Sequence, residues 1–139
     1  MSVHEQRFVD VFLRDQVPLA SELLAGAELG GIPLVTSASM ASDIPCIFIR
    51  NQKKEYGTAK QLEGTLQQGD KVAIVEDIAT TGGQVLEAAE TITSLGASVT
   101  SIIAAIDRCE GARENIENAG YHFQSLFTTS DLGVTETVR

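Results

Sequence analysis

An α/β fold built on a doubly wound, mainly parallel sheet is what this sequence predicts, and three features predict it. Short apolar runs recur along the chain at a spacing that suits strands. Stretches with helical spacing or many small residues separate them. Glycines stand where strand hands over to helix, at Gly30-Gly31 and Gly82-Gly83, and where helices stop, at Gly96 and Gly120. Strands and helices in alternation are the pattern of a parallel sheet.

In chain order, residues 4–24 carry Phe8, Val11, Phe12 and Leu13, then Leu19, Leu23 and Leu24, a helical pattern that Pro18 interrupts. Leu23–Ala27 reads as the first strand and runs into a glycine turn at Glu28-Leu29-Gly30-Gly31. Ile32–Ser42 is expected to be a helix rich in small residues, and Cys46–Ile49 a second strand. Arg50–Glu63 is charged and polar, and is expected to be a mobile excursion. Val72–Val75 is the third strand and Gly83–Leu95 a helix closed by Gly96. Val99–Ile106, the fourth strand, is apolar enough to be buried on both faces. Ala112–Ala119 is a helix, and Tyr121–Phe127 a last strand with Phe123 and Phe127 in phase as core residues. There is no internal repeat and no low-complexity tract.

With 139 residues and 43% hydrophobic content, the chain can bury one core, and residues 1–139 are expected to form a single domain. Ten Lys and Arg against 19 Asp and Glu leave a net charge of -9. Such a surface repels phosphate backbones and anionic membranes, so no nucleic acid and no membrane is expected as partner. The segment Met1–Arg7 is polar and lacks a signal peptide's apolar core, and no apolar run is long enough to span a bilayer. Cys46 and Cys109 lack metal-like spacing and are expected to be free thiols in a reducing cytoplasm. His4 and His122 belong to no constellation.

The most informative segment is Val72-Ala73-Ile74-Val75-Glu76-Asp77-Ile78-Ala79-Thr80-Thr81-Gly82-Gly83-Gln84. A short buried strand is followed by two adjacent carboxylates, a hydroxyl- and glycine-rich turn, and a helix. Ligands in open α/β sheets bind outside the carboxyl ends of strands. Free N–H groups at a helix start suit a phosphate, and glycines let the backbone approach it. The carboxylates suit sugar hydroxyls, directly or through a divalent cation. Together they describe a site for a phosphorylated sugar. The plainer reading of the same residues is a solvated acidic turn in which Thr80 or Thr81 caps a helix.

That segment resembles the phosphoribosyl-pyrophosphate (PRPP) signature of the type I phosphoribosyltransferases: apolar residues, two acids, then Thr-Thr-Gly-Gly. The resemblance implies that family's sheet. It also implies that Glu76 and Asp77 hold the ribose hydroxyls, and that Ile78, Ala79, Thr80, Thr81, Gly82, Gly83 and Gln84 surround the 5'-phosphate, with Gln84 standing where Ser or Ala is common.

Three further stretches extend the likeness toward the family's orotate enzymes. Gly26-Ala27-Glu28-Leu29-Gly30-Gly31-Ile32-Pro33-Leu34 is similar to their pyrophosphate loop, formed here by Glu28, Leu29, Gly30 and Gly31. Read without the family, this is a glycine-rich strand-to-helix turn that needs no ligand. Phe48-Ile49-Arg50-Asn51-Gln52-Lys53-Lys54-Glu55-Tyr56-Gly57-Thr58 is similar to their flexible loop, or else is a solvated basic hairpin. The resemblance makes Arg50, Asn51, Lys54 and Tyr56 PRPP-binding residues, with Lys54 catalytic alongside Asp77 and Glu76. Asn51 stands where the family usually has Lys, and Tyr56 where many members have His.

Ala105-Ile106-Asp107-Arg108-Cys109-Glu110-Gly111 is similar to their Asp-Arg-x-Glu motif. It implies that Arg108, with Thr80, binds the base, since a planar guanidinium matches a carboxylate. The plainer reading is an Asp107–Arg108 surface pair beside a helix start.

The implied activity is transfer of phosphoribose from PRPP to orotate. Mg²⁺ would be held mainly through PRPP with no firm protein ligand, in a cytoplasmic homodimer that shares the loop between subunits. The family's leading hood is expected to be reduced or absent, residues 1–22 being too few for it. A phosphoribosyltransferase for another base and a non-catalytic PRPP-binding regulator or subunit remain open beside this reading.

Overall fold

The computed structural model describes residues 21–54 and 57–133, together with Val3 and Gln6; for 52–54 and 57–60 it describes the backbone alone. Most of the helical pattern expected over residues 4–24, and with it the expected loss of the hood, lies outside the described residues.

β1 (Leu23–Ala27) is buried along its whole length. Small and apolar residues make that tolerable, and a central parallel strand demands it. On one side it pairs in parallel with β2 (Cys46–Lys54), from Leu24↔Cys46 to Ala27↔Ile49. On the other it pairs in parallel with β4 (Lys71–Ala79), from Leu23↔Val72 to Gly26↔Val75. Beyond β4 come β5 (Ser98–Asp107) and β6 (Phe123–Thr128), both parallel. β3 (Gly57–Glu63) forms the opposite edge, antiparallel to β2. The order is β3-β2-β1-β4-β5-β6.

Side chains alternate across the strands, so each apolar strand feeds two cores. On one face Leu24, Ala73, Val75 and Ile103 pack with Val35 and Ala38 of α1 (Gly31–Ser42). On the other, Ile47, Ile74, Ile102 and Phe123 pack with Val85, Ala89 and Ile92 of α2 (Gly83–Ser94) and Ile116 of α3 (Ala112–Asn118). The doubly wound, mainly parallel sheet expected from the sequence is therefore what forms, with helices on both faces. Among the described residues no helix is long and apolar enough to cross a membrane.

Three expectations need correction, the first being that Phe127, expected in the core beside Phe123, is only half-buried and belongs to neither core cluster. Arg50–Glu63 is largely an antiparallel ribbon rather than an unstructured excursion, running from Phe48↔Glu63 to Lys54↔Gly57. Its polar residues carry no strand periodicity. Near its inner end Ile49 lies opposite Leu62, which packs against the core, and the backbone ladder continues outward from there. The sheet accordingly has six strands where the sequence suggested five. The third strand of the sequence reading also does not stop at Val75. It continues to Ala79, because β5 pairs with it as far as Ala79↔Asp107 after β1 has ended. The remaining boundaries differ by one or two residues, as frayed ends do.

Gly26 brings α1 onto the sheet. A Cβ there would meet Val35 and lie 2.6 Å from the Gly31 carbonyl oxygen, so only glycine allows the helix start to press on β1. Gly26→Ala is expected to cost about 1–3 kcal/mol by overpacking, seen as a lower urea midpoint at unchanged m-value.

Candidate active site

After β1 the chain turns to α1 on one face, and after β4 it turns to α2 on the other. Adjacent parallel strands whose exits diverge leave a crevice at their carboxyl ends. Here it is a cleft of about 770 Å³, lined by Glu28–Gly30 from the first turn and by Glu76–Val85 and Glu87 from the second.

Glu76 and Asp77 stand in the strand rather than after it, in the part of β4 that no longer has β1 beside it. Adjacent strand residues face opposite sides. Asp77 shares the face of Val75 and reaches the α1 turn, where a Cβ on Gly30 would overlap its carboxylate. Glu76 shares the face of Ile74, and its Oε1 accepts the Asp77 N–H at 3.2 Å. The two carboxylates thus flank the strand end, and both open to the cleft.

The Thr80–Gly83 turn is fixed from behind. The Ala79 carbonyl accepts the Arg108 N–H at 3.0 Å, and the Thr80 carbonyl accepts that of Ala112 at 3.1 Å. Asn115 Nδ2 donates to the Thr81 carbonyl at 2.8 Å. None of these three donors lines the cleft. In a trans peptide the N–H points opposite to the C=O, so the N–H groups of Thr80, Thr81 and Gly82 are directed to the cleft side. Among the described residues none of the three has a protein acceptor. Gly82, at φ 87°, is the N-cap of α2 and has no side chain to cap with. Among the described residues, the only local contribution from a threonine side chain is a long 3.4 Å bond from the Gly83 N–H to Thr81 Oγ1. Such a turn suits an anion better than it suits simple capping.

The first turn is anchored to β2. The Glu28 N–H donates to the Ile49 carbonyl at 2.9 Å, and the Asn51 N–H donates to Glu28 Oε1. Arg50 lies between two acids, with Nε 3.9 Å from Glu28 Oε2 and Nη1 3.7 Å from Glu63 Oε1. The Glu28–Leu29 peptide is cis, and Leu29 is exposed at the cleft. Of the loop residues named from the sequence, Tyr56 lies outside the described residues, as does the side chain of Lys54.

Arg108 follows β5, its N–H on the Ala79 carbonyl and its Nε 2.9 Å from Glu110 Oε2. Its side chain is about half exposed and does not line the cleft. Asp107 is buried and caps the Cys109 N–H at 2.9 Å, so the surface pair is Arg108–Glu110 rather than Asp107–Arg108. Asn115 and the cis bond went unnoticed in the sequence. No proline signals the cis bond, and an exposed Asn on a helix gives no hint of its partner across 34 residues.

No family model matches the chain. Individual relatives do. The chain is 44% identical over 118 residues to the orotate phosphoribosyltransferase of Pyrococcus horikoshii, covering 85% of this chain and 63% of that one. With the orotate phosphoribosyltransferase of Methanocaldococcus jannaschii it shares 37% over 130 residues, covering 94% of this chain and 74% of the relative. The chain belongs to the orotate phosphoribosyltransferase family. A solved family structure, from Mycobacterium tuberculosis H37Rv in complex with PRPP, superposes with a TM-score of 0.73 at 27% identity, covering 94% of this chain and 74% of that one. Family membership fits the position of the cleft and the type I sheet. The chain nevertheless spans less than two thirds of the length of the Pyrococcus relative.

Gly30 and Asp77 give this family member a direct test of its crevice. Gly30→Ala is expected to cost about 1–3 kcal/mol through displacement of the Asp77 carboxylate. Most of that should return in an Asp77→Ala background. A double-mutant unfolding cycle measures it, and additive penalties would mean the two residues do not meet.

Proposed function

We propose that this chain transfers the 5-phosphoribosyl group of PRPP to orotate. A bond forms between the base ring nitrogen and the anomeric carbon, the bond from that carbon to diphosphate breaks, the nitrogen's proton is lost, and orotidine 5'-monophosphate results. The observation that carries this reading is one cleft joining an anion-receptive turn, Thr80–Gly83, to the carboxylates of Glu76 and Asp77. Kinship with orotate phosphoribosyltransferases supports it.

In this reading the N–H groups of Thr80–Gly83 and the start of α2 take the 5'-phosphate, flanked by Ile78, Ala79 and Gln84. Glu76 and Asp77 hold the ribose hydroxyls. Glu28–Gly31 face the diphosphate, with Arg50, Asn51, Lys54 and Tyr56 over it, and Arg50 exchanges its weak, half-exposed pairs with Glu28 and Glu63 for the ligand. Arg108, with Thr80, selects the base, which requires its side chain to leave Glu110 and swing toward the cleft. Rate enhancement comes from orientation and from stabilising charge as the ribose gains oxocarbenium character. Hard carboxylate oxygens at the strand end suit Mg²⁺, which when bound neutralises the leaving diphosphate. In this reading PRPP and water supply most of its oxygens. We place the enzyme in the cytoplasm as a homodimer with the ribbon shared between subunits.

The deciding experiment combines protein, PRPP, Mg²⁺ and a panel of bases and follows diphosphate release. Orotate should be consumed. Turnover of a purine or uracil instead would replace the base, and PRPP binding without any turnover would make the chain a regulator or subunit. PRPP at about 100 times its Kd should stabilise the protein by about 2.7 kcal/mol, a rise in Tm that the double variant Glu76→Gln, Asp77→Asn should lose. Lys54→Ala is expected to lower kcat far more than it weakens PRPP binding. Arg108→Ala should cut kcat/KM for orotate by about 2–5 kcal/mol of transition-state stabilisation while PRPP affinity stays near normal.

A further inference from the structure

The 108–115 segment does more than carry Arg108. It supplies donors to three consecutive carbonyls of the glycine turn, those of Ala79, Thr80 and Thr81. The first two are main-chain bonds that any sequence could make. The third comes from a side chain, Asn115 Nδ2, and it is the shortest of the set at 2.8 Å. It acts on the Thr81–Gly82 peptide, whose N–H lies where the turn enters α2 at positive φ. A Gly82 peptide is the one most free to rotate, since glycine accepts φ of either sign. Behind it Ile116 and Ala112 approach close enough that a Cβ on Gly82 would lie 3.2 Å from Ile116 Cγ1. Rotation of that peptide would turn its carbonyl toward the cleft and its N–H toward this apolar backing.

We propose that Asn115 is a positioning residue for phosphate recognition: by holding the Thr81 carbonyl outward, it keeps the Gly82 N–H presented to the 5'-phosphate of the substrate. The inference rests on the proposed function, in which this turn takes that phosphate. It makes Asn115 a determinant of affinity for ligands that carry a 5'-phosphate and leaves it without effect on ligands held by the Glu28–Gly31 turn. An anion facing a misplaced carbonyl meets a partial negative charge where it needs a donor, so the effect falls on ligand-bound states.

The test is calorimetric titration of the intact chain with ribose 5-phosphate and, separately, with inorganic diphosphate and Mg²⁺. Asn115→Leu keeps the shape and removes the donor, and Asn115→Ala controls for the leucine branch. Asn115 is exposed, so both variants should fold with a Tm near that of wild type. We expect ribose 5-phosphate affinity to fall about 5- to 10-fold in both, the size of one lost hydrogen bond, with diphosphate affinity unchanged. KM for PRPP should rise by a similar factor at constant kcat. Equal losses for both ligands would reduce Asn115 to general scaffolding, and unaltered ribose 5-phosphate binding would remove its role outright. Either result leaves the proposed function standing. If wild type itself binds neither ribose 5-phosphate nor PRPP, the proposed function falls and this inference with it.

Discussion

The constraint on which this molecule turns is the parting of β1 and β4. They pair as far as Gly26↔Val75, and then one chain leaves for α1 and the other carries on alone beside β5. Everything in the cleft follows from that divergence. Beyond Val75 the freed side of β4 no longer has a strand of the sheet beside it. Carboxylates in that stretch stand clear of the apolar cores instead of being buried in them. The two glycines that let the α1 turn press inward, Gly26 and Gly30, set how narrow the opening is.

The sequence disclosed the central features because they are repeated in local chemistry. β1, α1, α2 and the apolar parts of β4 and β5 declare themselves through buried runs, small residues and glycine stops, and each is also where local preference and tertiary packing agree. The Glu76–Gly83 run was legible as a site for the same reason, its unusual mixture being compressed into eight residues. What stayed hidden is non-local. The β2–β3 ribbon is held by backbone pairing between residues whose side chains show no periodicity, so Arg50–Glu63 read as a loop. The continuation of β4 to Ala79 depends on β5, more than 25 residues away, as the Ala79↔Asp107 pairing shows. Arg108 was legible as a candidate, but its ion pair with Glu110 depends on a side-chain rotamer that sequence spacing leaves open.

Charge is divided in a way that net composition conceals. A chain of net charge -9 would be an unpromising host for a phosphorylated ligand if side chains supplied the attraction. At the glycine turn they do not. The favourable potential there comes from oriented peptide dipoles, which contribute nothing to net charge. The cationic side chain described at the cleft margin, Arg50, is already opposed by Glu28 and Glu63. What the glycine turn offers an anion is therefore short-ranged, while the surface at large repels polyanions.

A surface made of main-chain donors has an evolutionary consequence. Peptide N–H groups are common to every residue except proline, so replacing Thr80 or Thr81 with another non-proline residue leaves the turn's donors in the polypeptide. Drift can erode such a turn mainly through what shapes it: a glycine that gains a Cβ, or the segment behind it that pins its carbonyls. One vulnerable position, Asn115, thereby lies outside the cleft on the exposed side of α3, where a comparison of cleft-lining residues alone would overlook it.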